Sequence, residues 1–154
     1  MNRDLLGVLA CPGCFGALSL AITNEAEGEI ESGTLGCASC AAAYPIVRFI
    51  PRFVPADNYS NSFGFQWNRF RRTQLDSATG QPITGRRFFQ QSGWQPAKMV
   101  GRWTLDVGCG AGRFAEVALG TGARLVAVDY SSAVDACRQN LGPNPRLDVV
   151  QADV

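Results

Sequence analysis

Four cysteines stand in two matched pairs, Cys11-x2-Cys14 and Cys37-x2-Cys40, with 22 residues between them. Two thiolates three positions apart on a tight turn present a matched bite to one ion, and two such knuckles complete the tetrahedral shell that zinc prefers. Ligation by Cys11, Cys14, Cys37 and Cys40 leaves no open coordination position, so the metal would be structural and not a Lewis acid. The other readings of the four are two disulfides or free core thiols. Only ten residues precede Cys11, and they carry Asp4 beside Arg3, which is too short and too acidic for a secretory leader. A cytoplasmic chain keeps its thiols reduced, which favours zinc. A segment of this size has little core of its own, and a metal would supply much of its folding energy.

The second stretch with chemistry in it is LDVGCGAGRF, residues 105–114. Asp106 ends an apolar strand, and Gly108, Gly110 and Gly112 follow at every second position around Cys109. Glycines there let the backbone turn sharply and approach a ligand closely. The dinucleotide fingerprint G-x-G-x-x-G would need glycine at 113, where this chain has Arg113. Two further acids end the next two apolar runs, Asp129 and Asp153. Cys109 and Cys137 read as small hydrophobes and not as nucleophiles. The chain has no histidine, so a general base would be a carboxylate, a tyrosine or a group outside these residues; no catalytic residue is assigned.

These positions need elements to hold them. Residues 1–55 read as strands: LSLAIT (18–23) alternates, GEIESGTL forms a hairpin turning at Ser32-Gly33, and AYPIVRFIPRFVP is extended. Residues 56–100 read as a helical lead-in. Phe63, Trp67 and Phe70 share one helical face, GRRFFQQS forms a second helix stopped by Gly93, and DSATGQPITG is a loop. Residues 101–154 alternate strand and helix. Ser132 and Asp135 are spaced as a capping box, and Gly142-Pro143 is a stop signal. The continuous apolar strands imply a parallel sheet covered on both faces. The expected class is α/β: a four-cysteine zinc ribbon, a helical linker, then three strands of a Rossmann-like sheet.

The net charge is +1 and selects no partner. Its distribution is uneven: Glu25, Glu27, Glu29 and Glu31 cluster early, while residues 48–102 hold nine of the fourteen basic residues. No apolar run approaches the roughly 20 residues that span a bilayer, so no membrane role is expected.

The knuckles, with Tyr44-Pro45-Ile46 and Ile50-Pro51, resemble the zinc-ribbon domain of the tRNA-methyltransferase activator proteins, which also occurs fused ahead of methyltransferases. That family commonly has glycine before the Ile-Pro pair; this chain has Phe49, a change that would flatten the turn. D-x-G-x-G-x-G resembles motif I of class I S-adenosylmethionine-dependent methyltransferases. That resemblance implies a methionine carboxyl group near the helix start, ribose hydroxyls on Asp129 with Tyr130 beside it, and the adenine amino group at Asp153 flanked by Ala152 and Val154. The alternative is an unrelated doubly wound domain whose strand-tip acids cap helices. The lead-in resembles helices that cover the cofactor, pointing to Phe63, Gln66, Trp67 and Phe88; the plainer reading is that these aromatics pack the parts together.

The family sheet has seven strands in the order 3-2-1-4-5-7-6, of which residues 101–154 would supply the first three. The resemblance thus implies the N-terminal part of a methyltransferase, inactive alone, whose first strand has an open edge prone to self-association. The methyl acceptor is unidentified, with a small molecule preferred over RNA. The competing functions are a zinc-ribbon adaptor for a partner protein and an RNA-modifying methyltransferase.

Overall fold

The computed structural model describes residues 1–55 and 61–153; the Phe63 side chain and Val154, both named above, lie outside the described residues. A short 3-10 turn, Arg3–Gly7, leads to an antiparallel sheet of β1 (Leu18–Ala26), β2 (Glu29–Cys37), β3 (Ala43–Val47) and β4 (Ile50–Pro51), in that order. Helices α1 (Asn61–Arg69), α2 (Asp76–Thr79), α3 (Ile83–Ser92) and α4 (Pro96–Met99) follow. The chain then alternates through β5 (Trp103–Val107), α5 (Arg113–Gly120), β6 (Arg124–Asp129), α6 (Ala133–Leu141) and β7 (Leu147–Gln151). Strands β5, β6 and β7 lie side by side and parallel. The molecule is therefore mixed α/β, as the strand and helix pattern implied.

The first hairpin turns at Glu27-Gly28, where both residues have positive φ (57° and 78°), and not at Ser32-Gly33. Gly33 lies inside β2, where a Cβ would come within 2.5 Å of the Ala21 carbonyl oxygen, beside a register shift between Ile22 and Asn24. A glycine inside a strand marks such close backbone approach as readily as a turn. The β3–β4 turn is not flattened by Phe49: Arg48 and Phe49 take φ of 52° and 70°. The Phe49 amide donates to the Glu31 carbonyl (2.8 Å), and the Arg138 guanidinium lies 4.4 Å from its ring centroid. A cation over a phenyl face contributes about 0.5–1 kcal/mol or more, which offsets part of the backbone strain.

The segment read as a loop at 76–85 contains α2 and the start of α3. Asp76 explains the order: its carboxylate accepts from the Thr84 and Gly85 amides at 2.8 and 2.7 Å, capping α3. Glu116 of α5 in turn accepts from the Asp76 and Ser77 amides, docking the lead-in onto the parallel sheet's helices. The capping box at Ser132 does not form. Ser132 makes no side-chain cap bond; Ser131 Oγ accepts from the Ala133 amide instead, and Asp135 pairs with Arg52.

Alternate residues of β6 and β7 point to opposite faces. Leu125, Ala127, Leu147 and Val149 pack with Ala115, Ala118, Val134 and Cys137 of α5 and α6. Val128 and Val150 join Met1, Leu5, Leu18, Ile30, Leu35 and Ile46. The four-stranded N-terminal sheet thus covers the second face of β6 and β7. It leaves β5 largely bare: Leu105 and Val107 are 59% and 53% exposed.

Candidate functional site

The metal centre is built from two equivalent knuckles. In each, the first cysteine's amide donates to a carbonyl five residues on (Cys11 to Gly16, Cys37 to Ala42) and its carbonyl accepts from the residue four on (Phe15, Ala41). Phe15 and Ala41 both adopt φ of 59°, a left-handed conformation costly for a side chain. The four Sγ atoms lie within 4.8 Å of one another, with Cys11–Cys40 at 3.6 Å and Cys14–Cys37 at 3.5 Å. Tetrahedral zinc with Zn–S near 2.3 Å needs sulfurs about 3.8 Å apart, so the four cysteines are arranged to bind a metal ion. The Tyr44 hydroxyl sits 3.2 Å from Cys11 Sγ. That hydrogen bond, followed by the Gly13 and Cys14 amides, brings the Cys11 thiol down to about 6 against the opposing pull of burial. Tyr44 is the outer-shell donor here; the sequence offered it only as part of a family pattern.

The glycine loop joins β5 to α5. Gly108, Gly110 and Gly112 all have positive φ (75°, 52° and 92°). At Gly112 a Cβ would lie 2.7 Å from Leu141 Cδ1, so α6 presses directly on the loop. At Gly108 nothing lies within 4 Å of that position, leaving its backbone open to a ligand. Asn140 donates to the Ala111 carbonyl at 2.8 Å and fixes the loop's far side. Cys109 is buried beneath the loop. Burial and a hydrogen bond to Cys137 hold its thiol well above the usual range, the Cys137 bond contributing most.

The structure brings Asp129 to this loop. Its Oδ2 accepts from the Gly110 amide at 2.9 Å, and its Oδ1 from the Ser131 amide and hydroxyl at 2.8 and 2.7 Å. Asp106 stands close behind. Its Oδ2 is buried without a hydrogen-bond partner, and its carboxyl is raised above the usual range by burial and secondarily by Asp129. Asp106 opens into a cleft of about 330 Å³ with Phe88, Phe114, Gln91 and Ser92. The Trp67 indole lies 3.5 Å from a Cβ position at Gly110, so α1 does reach over the loop. Phe88 packs against Phe89, Phe114 and Trp94, and Gln66 is exposed. Tyr130 follows Asp129 in the turn to α6; Asp153 lies exposed two residues beyond β7.

Two family models match this chain. Residues 105–154 are similar to the methyltransferase domain, and residues 2–48 to the Trm112p-like protein family. The two matches lie in chain order, the Trm112p-like one ahead of the one to the methyltransferase domain. Both resemblances drawn from the motifs agree with these matches, which support a methyltransferase-related role. No curated protein matches it. Among the described residues no helix is long and apolar enough to cross a membrane.

Proposed function

We propose that the glycine loop binds S-adenosylmethionine and that the chain serves methyl transfer to a small-molecule acceptor. The observation that carries this reading is the Asp129 carboxylate. It stands at the carboxyl end of β6, hydrogen-bonded to the Gly110 amide, where open α/β sheets bind their ligands. The donor set fits the cofactor: an exposed glycine backbone at Gly108, a buried acceptor without a partner at Asp106, and a ribose-facing acid at Asp129. When bound, the cofactor supplies an electrophilic methyl on its sulfonium. This chain's residues bind and orient it. Gly108, Gly110 and Gly112 would receive the methionine end, with Asp106 accepting from its amino group. Tyr130 and Asp153 would bound the ribose and adenine end. Cys109, buried, would contribute its backbone alone. Trp67 would exclude water from above Gly110. For a displacement at an activated methyl, positioning supplies most of the catalysis.

The cleft beside Asp106, about 330 Å³, sets two phenyl rings, Phe88 and Phe114, beside the polar Gln91 and Ser92, and its size is that of a small-molecule site. It favours such an acceptor over RNA. We assign the parts as 1–55, 56–100 and 101–154, the first a zinc-binding ribbon, in a reducing cytoplasmic setting that keeps four thiolates available. A pure adaptor role for the ribbon has less support, because β6 and β7 already occupy much of its apolar surface. Among the described residues β5 is an edge strand with an apolar groove of about 370 Å³ beside it. We therefore expect copies to self-associate there, read as a concentration-dependent mass in sedimentation.

Calorimetric titration with S-adenosylhomocysteine tests the main reading. The zinc-loaded chain should show saturable binding, lost in Asp129→Ala with the fold intact by circular dichroism. No binding by a folded, zinc-loaded chain would overturn it.

A further inference from the structure

We infer that the zinc ribbon positions the cofactor site through Arg52; the inference rests on the reading of the glycine loop just given. Arg52 follows β4 and, among the described residues, is the one ribbon residue that pairs as a strand with the parallel sheet, forming a parallel bridge to Gln151 at the end of β7. The Phe53 amide donates to the Gln151 carbonyl at 2.8 Å. The bridge places Arg52 along the outer edge of β7, at that strand's carboxyl end.

The side chain extends the connection inward. Arg52 Nη1 donates to Gln151 Oε1 at 2.8 Å, and Nη2 to Asp135 Oδ1 at 2.7 Å. Arg52 and Asp135 are only 14% and 19% exposed, so the fork is held in place and little screened. Gln151, itself buried, passes the contact on: its Nε2 donates to the Tyr130 carbonyl at 3.0 Å. Tyr130 lies between Asp129 and Ser131. Those two close the relay, since the Asp129 carboxylate holds Ser131 and the Gly110 amide together. Asp135 sits in the first turn of α6, which begins right after this segment.

One guanidinium thus fixes both sides of the β6–α6 turn, the strand side through Gln151 and the helix side through Asp135. A planar fork suits two acceptors at once, and a lysine would not replace it. Other contacts glue the ribbon to the sheet without touching this turn. Arg124 pairs with Asp4 at 2.8 Å at the opposite end of β6. That pair supplies the control. Arg52 is therefore a positioning residue: it acts on the cofactor acid through Gln151 and Tyr130, and the metal acts through Arg52 by holding the ribbon that presents it.

The test uses the zinc-loaded chain and two readouts, hydrogen exchange without ligand and S-adenosylhomocysteine affinity. Arg52→Met should raise exchange of the amides of Ser131 and Gly110 and weaken affinity about tenfold, within the range of measured site couplings. Gln151→Leu keeps the ion pair to Asp135 and should show the same change in both readouts to a lesser degree. Arg124→Met should leave exchange in this turn and affinity at wild-type levels. If Arg52→Met and Gln151→Leu bind as the wild type does and leave the turn equally protected, the inference is overturned. If Arg124→Met loosens the turn as much as Arg52→Met, the effect is general docking and the inference is likewise overturned. A wild type that fails to bind sinks the cofactor reading itself, an outcome distinct from binding that Arg52→Met leaves unchanged.

Discussion

The two faces of the parallel sheet are built from similar residues and covered by different means. On one face Leu125, Ala127, Leu147 and Val149 meet α5 and α6, helices that the chain lays down between the strands themselves. On the other, Val128 and Val150 meet a ribbon made more than seventy residues earlier in the chain. The helix face needs only local crossovers. The ribbon face depends on a separate sheet held in shape by four cysteines and locked on by Glu29–Arg138, at 2.6 Å, and Arg52–Asp135, at 2.7 Å. The apolar pattern of β6 and β7 therefore states that they are covered on both sides without stating by what, and β5, with the same pattern, keeps one face bare.

Metal removal should break this comparison most strongly. Structural zinc contributes about 10–16 kcal/mol of apparent folding energy in small sites, so chelation, or Cys37→Ser, should abolish exchange protection across β1 to β4. Protection in α5 and α6 should fall less. A core truncation on each face sharpens the contrast. Leu125→Ala on the helix face and Leu5→Ala on the ribbon face, both fully buried, should each cost about 2–5 kcal/mol in the zinc-loaded chain. After chelation the Leu5→Ala penalty should vanish and the Leu125→Ala penalty shrink, because the sheet then lacks the ribbon over its second face, as read by denaturant midpoints.

The face behind the glycine loop was legible only in part. The cysteine spacing and the glycine loop carry their chemistry in short segments, so their types and intervals suffice. Arg52, Phe49 and Gln151 carry theirs only after distant strands meet. Nothing within a few residues of Arg52 marks it off from the other arginines of the basic middle. Gly33 and Ser132 show the converse. Each has the local signature of a turn or a cap, yet a cross-strand approach to Ala21 and the neighbouring Ser131 decide their roles. The local sequence around Asp76 implies only a loop because its partners, the Thr84 and Gly85 amides, lie eight and nine residues ahead.

Three smaller effects follow. Gly112→Ala meets both a φ of 92° and a contact of 2.7 Å with Leu141, and should cost about 1–3 kcal/mol by chemical denaturation. Gly108→Ala, in open space, should cost about 1 kcal/mol or less from strain alone. At Asp76, burial pulls the carboxyl up, but the Gly85 and Thr84 amides outweigh it and hold it below its usual 3.8. A lowered pKa gives stability that is full above that usual value and lost as pH falls through the folded one. The stability gap between wild type and Asp76→Asn should therefore narrow below about pH 4, with metal loss common to both cancelling in the difference.

The central claim is that ribbon and parallel sheet form one unit sharing a core. Scanning calorimetry of the zinc-loaded chain tests it most directly. The structure predicts one transition whose calorimetric and van't Hoff enthalpies agree, the mark of all-or-none unfolding. Two resolved transitions, with the sheet's own melting temperature untouched by Cys37→Ser, would contradict it.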